Sequence, residues 1–596
     1  MPPLNPIVDV EEFPLSYRPR VLRALNGSIS DLNAISSDIK SGHLPLTRAT
    51  FEVFIVHLKT TDNSASRLNL VEATLRHITQ FFFHPKTKTP DVSIISSIAD
   101  SWPAICIWLS ELHRRHKNCA IRVSASPSPG VTLPSQIADV LSLILAFIVV
   151  ISRWRSMRRC LRVPDQLQQV VSILASIWAS EHTKARNIYI LAANAVVLLM
   201  GDDANTEEII AAFIAHFPTK PVLAKLLLKH LEPSLKFHVP DTTHFNFEAT
   251  LIGLLMTADE ELREDLLLHS SIRKYAAALA LLLSLPPDLN VAGSIILCLK
   301  YFNATLDATD GVTWVKKALR AGILSATIEC ARFYEHDGVE DEVVILISST
   351  IPRYLVYKSV LRQVRVELDA MCLNPKFAKS SFGLTKGRAR VAWSNFLKLI
   401  KERSKIKAEY DRIIKYPACS SPHCSHERTP KSNMKACEGC LSVRYCSRGC
   451  QTMHWLTHRN QCLEMWEKRK NEMPLYGRPD PEDSRLFNYI MTHDLHYNKE
   501  RICEQRSAIL VARPQTISSP FGILMDYRVV PVEIIVISTG SRELTAPNFP
   551  RSNSDAKRCI EKRGIETYVE LYVPSGRKLH FFPSMTTILG SWDSTA

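Results

Sequence analysis

The sequence predicts a mainly α-helical protein with two small, differently built regions towards its C-terminal end. From about residue 15 to 410, apolar residues recur at intervals of three and four, the period of an amphipathic helix. Glycine makes up only 19 of the 596 residues, below the usual share of about 7%. Alternating, strand-like patterns are confined to the last part of the chain. We therefore predict a helical array at 15–385, a basic connecting helix at 386–416, a cysteine-rich segment at 419–462 and a small α+β region at 482–596.

The helical array is predicted from a series of segments such as PDQLQQVVSILASIWASEH, which opens at Pro164, a residue that the first turn of a helix tolerates. Pro352 should kink or split the long helical pattern that contains it. Because the helices are about 12 to 20 residues long and short connections join them, we expect an armadillo-like stack. The chain has no repeat of fixed period, so this prediction concerns architecture only.

The segments on either side of the cysteine-rich region carry weaker patterns. In the basic helix we expect the lysines and arginines to face water, with an acidic partner as the alternative, and four apolar residues to pack, namely Val391, Phe396, Leu399 and Ile400. Further on, Asp483 or Ser484 is expected to cap one helix running through LFNYIMTHDLHYNKERICEQ. DYRVVPVEIIVIS reads as a strand, and TYVELYV with KLHFF as a hairpin.

Composition and charge favour an intracellular protein without a catalytic site. The net charge of +14 arises from 73 basic and 59 acidic residues spread along the chain, the pattern of a solvated surface. The N-terminus lacks the basic and apolar runs of a secretory signal, so we expect a reducing compartment. The strongest candidate for a membrane span, the uncharged run between Asp139 and Arg153, is shorter than the roughly 17 to 25 residues that a span needs and is predicted to be a buried helix. No P-loop, dinucleotide-binding turn or nucleophile elbow is present.

The cysteine-rich segment has the composition of a metal site. Seven of the fifteen cysteines fall between Cys419 and Cys462, and one histidine, His458, joins them at ligand spacing. Eight thiolate and imidazole donors are the number that two tetrahedral zinc ions need, and four protein ligands per ion leave no open position for a substrate. We therefore predict two structural Zn²⁺ ions. The predicted ligands are Cys419, Cys424, Cys437, Cys440, Cys446, Cys450, His458 and Cys462.

Spacing alone does not decide which ligands share an ion. Cys437 and Cys440 lie on a tight turn, which brings both sulfurs to one ion. Two further pairs, Cys446 with Cys450 and His458 with Cys462, lie four residues apart on one helical face. Adjacent pairs would share a site in one arrangement, and alternate pairs would interleave in another.

The run YCSRGCQTMHWLTHRNQC, together with CEGC before it, closely resembles the MYND zinc finger. The resemblance covers residues 419–462 and implies interleaved pairs: Cys419, Cys424, Cys446 and Cys450 on one zinc, and Cys437, Cys440, His458 and Cys462 on the other. The family usually opens with Cys-x2-Cys, whereas this chain has Cys-x4-Cys. His423 and His426 are expected to be solvated loop residues, and His454 to lie beside the metal without binding it.

The resemblance also implies a function in protein–protein interaction. MYND fingers bind short proline- and leucine-containing peptides, and the matching positions here are Gln451 and Trp455. Trp455 has an equally good alternative role as the core of so small a domain. Two other functions fit the sequence less well. A SET-type lysine methyltransferase is disfavoured because no Asn-His-Ser-Cys-type motif is present, and nucleic-acid binding because no base-reading finger pattern is present.

Overall fold

The chain folds into two compact units that are built almost entirely of helices. We describe a computed structural model at residues 8–59, 65–83, 91–124, 135–153, 164–180, 186–201, 206–232, 241–306, 311–373, 387–414, 419–425, 434–440, 443–471, 481–512, 521–538, 567–573 and 580–581. One unit comprises Met1–His269 and the other Ser270–Ala596. The division falls inside the segment that was predicted as one array, and the predicted domain bounds stay predictions.

The first unit consists of helices stacked in two rows. Helices α2, α4, α6, α8 and α11 pack in succession in one row, and α3, α5, α7 and α9 in the other. Within each row a helix contacts the helix two places along the chain, except that α8 contacts α11, three places along. Stacking of this kind is how a helical array buries one continuous core. The helices are α1 (Arg18–Leu25), α2 (Ile29–Ser41), α3 (Arg48–Ile55), α4 (Ala65–Phe83), α5 (Val92–Ser124), α6 (Ser135–Arg153), α7 (Pro164–Ala179), α8 (Arg186–Leu199), α9 (Thr206–Ala215), α10 (Lys220–Leu231), α11 (Thr242–Ala258) and α12 (Glu260–Leu268).

The core of the first unit contains a polar contact among aromatic rings. The indole of Trp178 is buried and stacks on the imidazole of His230, with 4.4 Å between ring centroids. Its N–H donates to the carboxylate of Glu248 at 3.1 Å, and Glu248 is itself fully buried. This hydrogen bond joins α7 to α11, since a buried indole N–H needs an acceptor.

The second unit, taken by itself, also consists of helices stacked in two rows. Helices α13, α15 and α18 pack in succession in one row, and α14, α17, α19 and α21 in the other. The helices are α13 (Ser271–Leu283), α14 (Leu289–Leu306), α15 (Val312–Arg320), α16 (Ile323–Glu329), α17 (Val339–Ile345), α18 (Lys358–Leu373), α19 (Arg388–Ile414), α20 (Arg448–Asn471), α21 (Pro481–Tyr497) and α22 (Lys499–Ala512). The mainly α-helical fold is thus confirmed.

Pro352 splits a helical pattern, as predicted. Helix α17 ends at Ile345 and is followed by a π-helical turn, then by a 3-10 turn that begins at Pro352, and α18 begins only at Lys358. A proline has no N–H to donate and its ring clashes with the preceding turn, so a regular α-helix cannot continue through it.

Three acidic side chains cap the N-termini of neighbouring helices rather than their own. Glu367 on α18 accepts a hydrogen bond from the Leu324 N–H of α16 at 2.9 Å. Asp483 on α21 accepts from the Ser359 N–H of α18 at 2.9 Å, and Glu340 on α17 from the Ala389 N–H of α19 at 3.0 Å. Such caps satisfy amide groups that a helix cannot pair by itself, and here they also fix one helix against the next. Asp483, expected to cap its own helix, therefore caps α18.

The basic helix α19 packs along its whole length rather than standing apart. Phe396 and Ile400 are buried as predicted, whereas Val391 is 61% exposed, so its predicted packing is wrong. The buried positions of α19 follow a slightly different stripe: Ala389, Ala392, Phe396, Ile400, Arg403, Ile406 and Tyr410. That stripe includes Arg403, although the basic residues of this helix were predicted to face water or, as the alternative, an acidic partner.

Arg403 is buried because it has a partner. Its guanidinium lies 2.9 Å from the Asp494 carboxylate of α21, and both side chains are under 10% exposed. The Tyr527 hydroxyl donates to the same carboxylate at 3.1 Å. A buried ion pair needs such additional hydrogen bonds to offset its desolvation. This cluster fixes the strands that follow α22 onto α19 and α21.

The C-terminal region is a small mixed sheet with the strand order β4–β3–β5–β6. Strands β3 and β4 form an antiparallel hairpin, β5 pairs with β3 in parallel, and β6 pairs with β5 antiparallel. The finger contributes a separate two-stranded ladder, β1–β2. The strands are β1 (Lys435–Ala436), β2 (Arg444–Tyr445), β3 (Phe521–Asp526), β4 (Glu533–Ser538), β5 (Thr567–Val573) and β6 (His580–Phe581).

Two details of this region differ from the sequence prediction. The segment predicted as one strand at 526–538 is the end of β3, a turn around Pro531 and then β4. The helix predicted through residues 486–505 is two helices, α21 and α22, that meet at Asn498. The predicted pairing of the last two strands is confirmed, with Tyr572 opposite Phe581.

Among the described residues, two helical stretches are long and apolar enough to cross a membrane, by length and composition alone. They are Val92–Arg115 and Leu289–Leu306, and a further two bent helix pairs would also pass if each counted as one span. In the most apolar part of each stretch, 50% of the first and 56% of the second is buried inside the structure. The apolar run in α6, which was predicted to be a buried helix, is packed inside the first unit, with Ile144 and Phe147 fully buried.

Candidate metal centre

The segment with the cysteine cluster folds into two groups of four metal-binding side chains. Within each group the sulfur and nitrogen atoms all lie within 4.8 Å of one another. One group, site 1, consists of Cys419, Cys424, Cys446 and Cys450; the other, site 2, consists of Cys437, Cys440, His458 and Cys462. The structure therefore brings together the eight predicted ligands, in the interleaved arrangement.

Site 1 is assembled from an N-terminal loop and the start of α20. Ser420 donates its N–H to the Arg444 carbonyl at 2.9 Å and accepts the Arg444 N–H on its hydroxyl at 3.1 Å, which holds the loop against β2. The turn that places Cys424 closes through its N–H to the Ser421 carbonyl. Four residues between Cys419 and Cys424, rather than the family's two, therefore still bring both sulfurs to one site.

The other half of site 1 depends on a helix cap. Cys446 lies just before α20, and Ser447 accepts the Cys450 N–H on its hydroxyl at 3.2 Å. This side-chain cap fixes the first turn of α20, so that the two sulfurs lie 3.6 Å apart.

Site 2 is built on a tight turn between β1 and β2. The Cys437 N–H donates to the Val443 carbonyl at 3.0 Å, and the turn exposes backbone N–H groups to the Cys437 sulfur. Gly439 lies inside this turn, and a Cβ atom there would be only 2.7 Å from the Cys462 sulfur. A side chain at this position would therefore push on a ligand. Helix α20 delivers the other two ligands from successive turns.

The donor distances fit tetrahedral zinc. Zinc–sulfur bonds of about 2.3 Å in a tetrahedron place two sulfurs about 3.8 Å apart, and a sulfur and an imidazole nitrogen about 3.5 Å apart. The observed distances are 3.5 Å for Cys424–Cys446, 3.6 Å for Cys437–Cys462 and 3.4 Å from the Cys440 sulfur to His458 Nε2. A disulfide would need about 2.0 Å, and all seven cysteines are free thiols.

The protonation of the thiols also calls for a cation. In site 1, the hydrogen bond with Cys424 raises the pKa of Cys446 to about 12, while the Ser447 hydroxyl lowers the pKa of Cys450. In site 2, burial raises the pKa of Cys462 to about 12. Thiols this close do not all ionise by themselves, because adjacent thiolates would repel one another. The charge of a bound dication offsets this repulsion, so that every thiol of a site can be a thiolate.

The pKa of Cys437 shows how the turn prepares a thiolate. Burial alone would raise the pKa of this thiol, but hydrogen bonds from the N–H groups of Cys440 and Gly439 to its sulfur outweigh burial and lower it. Backbone N–H groups that point at a sulfur stabilise its negative charge, as they do for other anions.

Tyr445 forms the core of the finger between the two sites. Its side chain is 1% exposed and is surrounded by the buried ligands of both groups. Its hydroxyl lies 3.0 Å from His454 Nδ1, and the His454 ring stacks on the His458 ring at 5.5 Å. His454 therefore supports a ligand without being one, as predicted. His423 is exposed outside both sites, and His426 lies outside the described residues.

The two predicted peptide-binding residues lie on the surface of α20. Trp455 is 40% exposed, with its ring 6.1 Å from the His458 ring, and Gln451, one turn earlier, is partly exposed. Tyr445, and not Trp455, occupies the core of the finger.

Comparison with known proteins agrees with the geometry of the finger. The family described as the MYND finger matches residues 419–462. No curated protein matches the chain.

Several solved structures show a distant likeness to this chain. An engineered protein is 12% identical with a TM-score of 0.32, covering 53% of this chain and 97% of its own. A designed armadillo repeat protein is 13% identical with a TM-score of 0.31, covering 52% and 98%. A further engineered protein is 13% identical with a TM-score of 0.29, covering 66% and 96%. TM-scores this low do not establish a shared fold, so the armadillo-like form stays a prediction.

The cysteine spacing, the two four-ligand groups and the family match all describe the same 44-residue segment. The donor distances and the paired thiols fit one zinc ion in each group, which confirms the prediction of two zinc sites. The chain is thus a protein with a two-zinc MYND finger at residues 419–462.

Proposed function

We propose that the chain is an intracellular, non-catalytic protein whose MYND finger binds other proteins, taking short proline- and leucine-containing segments beside Gln451 and Trp455. Zinc has a structural role in this proposal. Each site has four protein donors, which fills a tetrahedral shell and leaves no position for a substrate or an activated water. A folded finger is then the condition for binding.

The observation that carries the proposal is the exposure of Trp455. A tryptophan that is 40% exposed on a small domain, rather than buried in its core, offers a large flat apolar surface to a partner. Gln451 lies four residues earlier on the same side of α20 and adds a hydrogen-bonding amide beside it. Proline-rich segments are extended before they bind and dock against aromatic rings at low entropic cost.

A peptide pull-down with the full-length chain tests the proposal. Trp455→Ala is expected to lose capture of the proline- and leucine-containing peptides and to keep both zinc ions. The matched control is Met453→Ala, because Met453 is a 54% exposed apolar residue on the same helix, about 160° away from Trp455 around its axis. The control should bind like the wild type.

Three results would contradict the proposal. Equal capture by Trp455→Ala and the wild type would show that this surface is not used. Methyl transfer from S-adenosylmethionine to a lysine substrate would instead identify an enzyme. Binding of nucleic acid with a steep dependence on salt, without capture of any peptide, would identify a nucleic-acid-binding protein.

A further inference from the structure

A second surface of the finger helix has the pattern of a coiled-coil seam. Leu456, Arg459, Leu463 and Trp466 follow one another at intervals of three, four and three, which are the a and d positions of two heptads. Leu456 is 89% exposed, Leu463 47% and Trp466 45%, and Arg459 is exposed as well. We call these four residues the outer seam.

The outer seam faces away from both zinc sites, and it is rotated from the proposed peptide surface, although Arg459 lies only one turn after Trp455. The ligands Cys450, His458 and Cys462 face inward and are buried, whereas every member of the seam is exposed. Since successive residues of a helix advance by about 100°, the centre of the seam is about 80° around the axis from Gln451 and Trp455. The inference below goes beyond the proposed function and does not depend on it.

Arg459 is the unusual member of the outer seam. It occupies a d position between apolar residues, where an uncompensated charge would weaken packing. Within the described part of the chain it makes no hydrogen bond or ion pair. An arginine at a core position is favourable when the facing layer supplies a carboxylate, because the pair then fixes the register of the two helices.

We propose that the outer seam binds one amphipathic helix of a partner protein, with apolar residues facing Leu456, Leu463 and Trp466 and an acidic residue facing Arg459. A helix is the fitting occupant because the exposed apolar residues of the seam follow the heptad spacing along α20. The seam is about 15 Å long, which corresponds to about three turns of a partner helix.

A second copy of the chain fits the seam poorly. In a parallel pair the two copies of Arg459 would face each other, and in an antiparallel pair each would face Leu463. Neither arrangement supplies a carboxylate at the Arg459 layer. Four partly exposed side chains also cover on the order of 400 Å², about half of what each partner of a stable complex contributes. The area suits a transient contact with a single helix.

A lipid surface fits the seam poorly too. A helix that lies on a membrane has a wide apolar face with its charges at the edges, whereas here Arg459 lies at the centre of the apolar stripe.

Two designed peptides of about three heptads test the proposal against the full-length zinc-loaded chain. Both carry leucine at the seam-facing positions, and they differ only at the position facing Arg459, where one has Glu and the other Lys. Fluorescence anisotropy should show the Glu peptide binding at least about tenfold more tightly, because the Lys peptide places like charges together. In Arg459→Glu the preference should reverse, so that the Lys peptide binds more tightly.

The controls separate the seam from general charge and from folding. Lys435→Glu makes the same charge change at an exposed position on β1 and should keep the wild-type preference. All variants should retain two zinc ions. Equal affinities for the two peptides, binding of neither, or no reversal in Arg459→Glu would overturn the proposal. Binding to vesicles of anionic lipid in place of the Glu peptide, or a dimer that Arg459→Glu abolishes or strengthens, would overturn it in favour of the other occupants.

Discussion

The substitution Gly439→Ala should damage one zinc site and leave the other intact. A Cβ atom at this position would lie 2.7 Å from the Cys462 sulfur, whereas ordinary contacts begin at 3.4 Å. The ligand or the turn must therefore move by about 0.7 Å, while zinc–ligand distances tolerate only about 0.2 Å. Displacing a ligand through its surroundings typically lowers metal affinity about 10- to 100-fold. Site 2 should weaken by that factor, and site 1 should not change.

The assay is competition between the full-length chain and a chromophoric zinc chelator. The wild type should release its two zinc ions at similar chelator concentrations, and Gly439→Ala should release one of them at a markedly lower concentration. Gly449→Ala is the matched control, because a Cβ there would meet only the Ser447 hydroxyl, at an ordinary 3.7 Å. If Gly439→Ala holds both ions as tightly as the control, the proposed geometry of site 2 is refuted.

Three further predictions concern the finger and the second unit. His458→Gln should lose one zinc and His454→Gln should keep both, as metal analysis of the two variants can show, because only the first is a ligand. Burial raises the pKa of Glu367 to about 8 from 4.5, so the folded state holds its proton more tightly. Stability should therefore be greatest below the unfolded pKa and fall by about 2 kcal/mol between about pH 6 and 8. Denaturant titrations should show that fall in the wild type and not in Glu367→Gln; an equal fall in both would contradict the assignment. Asp494→Asn should destabilise the second unit by about 3–5 kcal/mol because it leaves a buried arginine unpaired. Asp341→Asn, in an exposed ion pair, should cost under about 1 kcal/mol in the same denaturation assay, and similar losses in both variants would argue against the buried cluster.

The general architecture could be predicted because its signals are local. The three- and four-residue period of apolar residues predicts the helices, and Pro352 shows where a helical pattern is interrupted. The ligand set could be identified because eight donors lie within one short segment. Their pairing could not be deduced from spacing, since turn and helix pairs fit either arrangement. Only the resemblance to a known finger selected the interleaved one, which the structure shows.

The errors come from contacts that are distant in sequence. Val391 looked like a packing residue, but the orientation of α19 is set by its neighbours, and they bury Arg403 instead. Asp483 was expected to cap its own helix, but it bonds Ser359, 124 residues earlier. A carboxylate and its partner at such a separation leave no local pattern. For the same reason, the sequence left open whether Trp455 or another residue forms the finger core, a position that the structure gives to Tyr445.

The number of zinc ions bound to the full-length chain tests the central claim most directly. Native mass spectrometry should find two zinc ions per chain. Cys446→Ser and Cys462→Ser should each keep one, since each removes a ligand from a different site. A wild-type chain that binds no zinc or one zinc, or either single variant losing both ions while remaining folded, would contradict two separate sites of four ligands.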